Sequence, residues 1–491
     1  MNSSLFDRCC FAALAFSCSV AMAGEIHPSV RADARANGSV DAIIVFADQA
    51  RPTLPLAADG NYHVERRALV EALRSRAEHA QSGVRAWLDA HGIAHRDFWI
   101  ANLMQARIPA ALIDELGARG EIARIDPNPV IALSLPSAPT LAAPTLTESI
   151  AWGVAKIEAP QVWAAGFTGQ GIVIGGEDTG YKWDHPALKG HYRGWNGISA
   201  DHNYNWHDAI HNATANPCNN NAPAPCDDHG HGTHTAGTFA GDDGAGNQIG
   251  VAPGAKWIGC RNMDQGDGTP ARYIECMQWL LAPTDLAGNN ANPDLAPDVI
   301  SNSWSCPASE GCTLGSELET AVDNLVAAGI FYVAAAQNSG PGCATIADPP
   351  ATYDASFVVG ATDSSEALAD FSSRGPVSGS GLIRPDLSAP GVNVRSSYPP
   401  NSYASLNGTS MATPHVAGAA ALLMSAFPAL KGHPDKIGAI LRGTAVQDVT
   451  DPVLQSCGGT PISIPNYMVG YGRVDVWNAY RDIIFIDGFD H

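Results

Sequence analysis

Residues 171–180 read GIVIGGEDTG. A short apolar run with β-branched residues, closed by acids and a glycine, has the pattern of a strand buried on both faces. PDVISNSW (297–304), GIFYVAAAQN (329–338) and SFVVGATD (356–363) share that texture. Helical stretches lie between them, at 271–281 and 316–328. Strands alternating with helices predict an α/β fold, a largely parallel sheet covered by helices on both faces in three layers. Functional groups in such a sheet gather at the carboxyl ends of the strands, and Asp178 ends the first of them.

Working outward toward the N-terminus, residues 134–148 read SLPSAPTLAAPTLTE, with no charge until Glu148. Such a segment is extended and open to proteolysis, so 135–148 is expected to be a linker. Before it, a strand is expected at 41–48 and a helix at 62–93, where Val64, Leu69, Leu73, Ala77, Ala80, Val84 and Trp87 recur at helical spacing. A strand or hairpin at 97–108, a short helix at 109–118 and a strand at 121–126 complete a β-α-β-α-β order. Residues 24–134 therefore predict a small α/β sandwich. Phe11 to Met22 is apolar and Ala21-Met22-Ala23 fits a cleavage site, so 1–23 reads as a secretory signal. The main domain is expected over 149–482, with a tail at 483–491.

The 491 residues include 28 basic and 49 acidic side chains, a net charge of −21. That balance argues against non-specific nucleic-acid binding, which needs a basic face. Residues 1–144 hold 13 Arg and no Lys, which again separates the two parts. No apolar run reaches the length of a membrane span, and Val416 to Phe427 reads as a buried helix. Of eleven cysteines, Cys9, Cys10 and Cys18 leave with the signal. An even eight in an exported chain implies disulfides. Eight cysteines allow 105 pairings; closeness in sequence favours Cys218 with Cys226 and Cys306 with Cys312, and of the ways the other four can pair, Cys260 with Cys276 and Cys343 with Cys457 is the expectation.

Three polar motifs sit beside glycines: Asp178-Thr179-Gly180, HGHGTH at 229–234 and NGTSMATP at 407–414. A serine hydroxyl needs a neighbouring base to act as a nucleophile. A histidine can take its proton and return it to a leaving group, and a carboxylate orients the imidazole. Asp178, His231 and Ser410 supply that set in the order Asp, His, Ser. Each has a plainer reading as well. Asp178 and Ser410 are placed where turn or helix caps occur, and His229, His231 and His234 could instead bind a metal in a metallohydrolase. Asp242, Asp243 and Asn247 form an oxygen-rich loop of the kind that holds a structural calcium or simply turns in solvent.

DTG, HGTHTAGT and GTSMATPHVAG resemble the signature motifs of the subtilisin-like serine peptidases, over roughly 150–480. PGCATIADPPATYDASFVVGATDSSEALADFSSRGPV and RPDLSAPGVNVRSS resemble the bacillopeptidase F-like branch. The resemblance implies an endopeptidase working through an acyl-enzyme, with Asp178 as orienting carboxylate, His231 as base, Ser410 as nucleophile and Asn338 as oxyanion donor beside the Ser410 N–H. It implies no cofactor for the chemistry, polypeptide substrates pairing with the cleft edge at Ser303 and Trp304, and secretion. It also makes 24–134 an inhibitor-type propeptide, an intramolecular partner whose last strand fills the cleft until the 134–148 zone is cut. Two positions depart from the family pattern. Gln337 and Ser305 stand where glycine is usual, at the primary pocket, and predict reduced acceptance of large side chains or weakened catalysis. Ala347 matches the small residue at the pocket base. Pro349-Pro350 falls where related enzymes can carry a cis proline, residues 192–226 read as a surface insertion, and the final IFIDGFDH resembles short C-terminal motifs of secreted bacterial proteins.

Overall fold

The computed structural model describes residues 23–49, 61–135, 137–142, 149–453, 457 and 463–486. The expected signal, residues 143–148 of the linker and residues 487–491 of the tail lie outside these, Ala23 excepted.

Seven parallel strands form the main sheet. In spatial order they are Trp206–Asp208, Lys256–Arg261, Val173–Asp178, Val299–Asn302, Phe331–Ala335, Phe357–Thr362 and Leu387–Pro390. Alternate residues point to opposite faces. Val299 and Val333 join one core with helices His231–Ala240, Thr409–Ala426 and Val476–Ile486, while Ile300, Tyr332 and Ala334 join another with helices Pro270–Leu281 and Gly315–Ala327. The expected three-layer α/β/α fold is what forms. Thr409–Ala426 is apolar nearly all round and buried along most of its length, as its sequence implies. Among the described residues no helix is long and apolar enough to cross a membrane. The last helix runs to Ile486, past the 482 boundary expected for the domain, because Ile483 still packs into the core.

The N-terminal unit is a five-stranded sheet ordered Glu25–Ile26, Ile122–Pro127, Ser39–Phe46, Leu103–Pro109 and His95–Phe98. The long helix, Tyr62–Ala90, and the hairpin at 95–109 fall where expected. One helix, Pro28–Asn37, was not anticipated. It buries only Val30 and Ala34, too few apolar positions to show a period. Its punctuation was legible all the same: Pro28 opens it and Gly38, at φ 77°, closes it.

Both faces of this small sheet are covered. Ala42, Ile44 and Phe46 pack under the unit's own helices, whereas Ile43 and Val45 face the main domain. The unit docks across helices Pro270–Leu281 and Gly315–Ala327 and uses their polar positions. Gln278 Oε1 accepts from the N–H groups of Trp99 and Ile100 at 2.6 and 3.2 Å. Asn128 Oδ1 accepts the Ala271 N–H at 3.1 Å, at the start of the first helix. Arg124 donates to Glu317 at 2.8 Å in the first turn of the second. Buried Arg66 donates to the Ala328 carbonyl at 2.9 Å, just past its end. Four disulfides, 218–226, 260–276, 306–312 and 343–457, match the expected pairing. The Pro349–Pro350 bond is cis.

Candidate active site

Asp178 stands at the carboxyl end of its strand, and His231 opens the helix His231–Ala240. Two features bring them together. A Cβ on Gly232 would come within 2.1 Å of the Gly180 carbonyl oxygen and 3.0 Å of Asp178 Cβ, so only glycine lets the helix reach the strand end. Asp227 fastens the helix start. Its carboxylate accepts from the N–H groups of His229, Gly230 and Thr233 at 3.0, 2.7 and 2.9 Å, and from Thr179 Oγ1 at 2.9 Å. An acid at a helix N-terminus satisfies otherwise unpaired donors and complements the dipole. Sequence reasoning missed Asp227, although an acid shortly before a helix start is a readable capping signal.

His231 Nδ1–H donates to Asp178 Oδ1 at 2.6 Å, and both side chains are buried. The Thr179 N–H at 2.7 Å and Thr235 Oγ1 at 3.2 Å also donate to that carboxylate. Among the described residues His231 Nε2 is buried with no hydrogen-bond partner. Next to this acid, Glu177 lies within hydrogen-bond distance of Tyr332 and Asn302, and burial pushes its carboxyl well up.

Ser410 is the second residue of helix Thr409–Ala426. Pro414, inside that helix, has no N–H to give to the Ser410 carbonyl four residues back. Ser303 Oγ donates to that carbonyl instead at 3.2 Å, and Ser410 Oγ donates to the Ser303 carbonyl at 3.4 Å. Gly408 precedes the helix at φ 149°, ψ 157°, a conformation open essentially to glycine alone. Asn338 follows strand Phe331–Ala335. Its Oδ1 accepts from Thr409 N at 2.9 Å and Thr409 Oγ1 at 3.1 Å. That leaves its Nδ2 as the outward donor, and it is aimed at the Ser134 carbonyl oxygen, 3.3 Å away.

A cavity of about 250 Å³ opens here. Its walls include Ser303, Trp304, Ser305, Gln337, Asn338 and Ser410. Gln337 holds a left-handed backbone, φ 80°, and its amide bridges the Asp348 carbonyl at 2.6 Å and the Ala347 N–H at 3.4 Å. Its side chain is thus tied to the wall. Ala347 contributes this backbone contact, whereas the neighbouring Asp348 is the residue that lines the cavity, together with Glu310. Burial and the nearby Glu310 push the Asp348 carboxyl up.

The three motif histidines do not converge on one point. His231 turns to Asp178, and His234 Nε2 meets the carbonyls of Val394 and Ala404 at 2.9 and 3.1 Å. The His229 ring faces Gly266. Burial pushes His234 down to about 3 and lowers His229. In the 242–247 loop, Asp243 accepts from the N–H groups of Ala245 and Asn247, from the Asn247 amide and from Tyr403, and Asp242 accepts from Gly244. Its carboxylates are engaged as turn acceptors.

The subtilase family model matches residues 169–472, which hold every site residue named above except the cleft-bound Ser134. The chain belongs to the subtilase family. Bacillopeptidase F of Bacillus subtilis is 36% identical over 445 residues, covering 86% of this chain and 29% of that protein. Alkaline protease of Alkalihalobacillus alcalophilus is 36% identical over 285 residues, 58% of this chain and 62% of that one. Subtilisin DY of Bacillus licheniformis is 36% identical over 285 residues, 58% and 87% respectively. The chain therefore spans less than two thirds of the length of the first two relatives. The match to bacillopeptidase F runs beyond the subtilase domain itself and agrees with the branch that the sequence resembles.

Proposed function

We propose that this subtilase is a secreted serine endopeptidase made as a zymogen, with Asp178, His231 and Ser410 as its triad and Asn338 as oxyanion donor. One observation carries the reading: Ser410 lines a cavity with an asparagine aimed at a peptide carbonyl, and the motif histidine forms a buried 2.6 Å pair with Asp178. In turnover Ser410 Oγ leaves the Ser303 carbonyl for His231 Nε2, which takes its proton. The oxygen then attacks the peptide carbon. Asn338 Nδ2 and the Ser410 N–H stabilise the oxyanion, His231 protonates the leaving amine, and water releases the acyl group by the reverse sequence. The chain needs no cofactor for these steps. Secretion is supported by the apolar segment at 11–22 and by four disulfides, which suit an oxidising compartment. The N-terminal unit supports the zymogen reading, because its last residues lie in the cleft.

The test is hydrolysis of casein and of a peptide library by processed wild type and by Ser410→Ala, with and without a chelator. The reading expects cleavage by wild type in both conditions and none by the variant. Full activity in Ser410→Ala would overturn it.

A further inference from the structure

The chain's own residues thread the cleft as a substrate would. Ile131–Ala132 pairs antiparallel with Asp267–Gly268, and the Leu133 N–H donates to the Gly266 carbonyl at 2.9 Å. The Ala132 N–H donates to Glu310 at 2.8 Å. The next carbonyl, that of Ser134, faces Asn338 Nδ2 at 3.3 Å, and Ser134 lines the same cavity as Ser410. Beyond it, Leu135 packs against the apolar group Val394, Ala404, Leu406 and Met411. Ser137 Oγ accepts from Asn407 Nδ2 at 2.8 Å, and Thr140–Ala142 pairs antiparallel with Ser402–Leu406, in register 140↔405 and 142↔403. Both sides of one bond are therefore anchored, and its carbonyl faces the oxyanion donor.

We propose that Ser134–Leu135 is the first bond this enzyme cuts, in its own chain, and that residues 140–142 then remain as an added strand on the Ser402–Leu406 edge. The proposal rests on the peptidase reading above. Ser410 Oγ adds to the Ser134 carbonyl carbon while its proton passes to His231 Nε2. The bond from Ser134 carbon to Leu135 nitrogen breaks, and that nitrogen takes the proton. Water then adds to the ester carbon, and its proton returns through His231 to Ser410 Oγ. The products are a Ser134 carboxylate on the N-terminal unit and a Leu135 amine on the mature enzyme. Serine leaves the adjacent cavity of about 250 Å³ unfilled, so the released carboxylate end is held by backbone contacts rather than by a seated side chain. The retained strand gives the mature chain a fixed N-terminal arm on the leaving-group side of the cleft.

The experiment follows newly made full-length chain over time by intact mass and N-terminal sequencing. Wild type, Ser410→Ala and Leu135→Pro are compared, with fluorophosphonate labelling of each sample and circular dichroism to confirm folding. The expected first product of wild type begins at Leu135, with a partner fragment ending at Ser134. Ser410→Ala yields neither, and Leu135→Pro forms the cut at least 100-fold more slowly. A labelled, active wild type whose earliest N-terminus lies elsewhere overturns the bond and leaves the peptidase reading standing. A wild type that is neither cut nor labelled overturns both. A Leu135 terminus that also appears in Ser410→Ala overturns self-cleavage. Hydrogen exchange on the mature enzyme tests the arm: slow exchange at 140–142 is expected, and exchange at the free-peptide rate overturns it.

Discussion

At the scale of single residues, Asn338 is fixed by what its oxygen accepts. With both Thr409 donors on Oδ1, the amide has one orientation, and Nδ2 is presented to a carbonyl. Asn338→Ala is predicted to lower kcat by roughly 10²–10³ with little change in KM, because the donor matters most when negative charge develops. Steady-state kinetics on one peptide checks this, and an unchanged kcat would count against the assignment. The cavity beside it makes a second prediction. Asp348 and Glu310 line it, and neither forms an ion pair among the described residues. Complementary charge favours a Lys or Arg side chain before the scissile bond. A peptide panel should give kcat/KM at least tenfold higher for these than for Glu, and Asp348→Asn should shrink that ratio. On the same panel Gln337→Gly should broaden acceptance of large side chains. The glycine tolerates φ 80° without cost and removes the side chain that now bridges Ala347 and Asp348. An unaltered profile would remove Gln337 from the specificity account.

At the scale of elements, the site depends on how one short helix is started. Asp227 gathers three backbone N–H groups and the Thr179 and Thr233 hydroxyls at the entry to His231–Ala240. Asp227→Ala is predicted to cost about 1–2 kcal/mol of stability by the loss of a cap and to lower kcat by displacing His231. Urea unfolding and kinetics read the two effects separately, and a variant with wild-type values in both would contradict the role. The strands and helices around this site were legible because a doubly covered sheet writes itself as apolar runs between glycines. GIVIGGED, PDVISNSW and GIFYVAAAQN each contain a strand of the central sheet. Asp227 was legible only as an acid shortly before a helix start; its partners are mostly backbone N–H groups, so no side-chain pattern marked it as part of the site. The Pro28–Asn37 helix escaped for another reason: two buried side chains carry no period. The cleft also has an edge that the sequence did not show. Ser303 and Trp304 line the cleft, but the strand that the chain's own segment pairs with is Asp267–Gly268, a two-residue piece too short to read from sequence.

At the scale of the whole molecule, the interior holds neutral histidines whose burial ties stability to pH. Burial pushes His234 down to about 3 and His415 down to about 4. An unfolded histidine titrates near 6.5. Below that pH the unfolded chain binds protons that the folded chain refuses, so the stabilisation is complete above about pH 6.5. It falls by about 1.4 kcal/mol per pH unit for each histidine as pH drops toward the folded values. Glu177, raised by burial, works in the opposite direction, since its folded form takes a proton first as pH falls. A variant comparison isolates one group. In a Ser410→Ala background, which prevents self-digestion, His415→Gln should lose about 2 kcal/mol less stability between pH 6.5 and 5 than its parent. Equal losses in urea melts would contradict the burial argument. The sequence suggests a division of the molecule at the Pro- and Ala-rich segment 134–148, which carries no charge until Glu148. That its first residue lies with its carbonyl against Asn338 depends on contacts between residues more than 200 positions apart, which only the folded chain brings together.

Everything proposed above depends on Ser410 being the nucleophile of a working triad. The most direct measurement is labelling of the processed enzyme with a fluorophosphonate, followed by peptide mapping. One adduct is expected, on Ser410, lost in Ser410→Ala and strongly slowed in His231→Ala. An adduct on another serine, or none on an enzyme that still cleaves peptides, would contradict it.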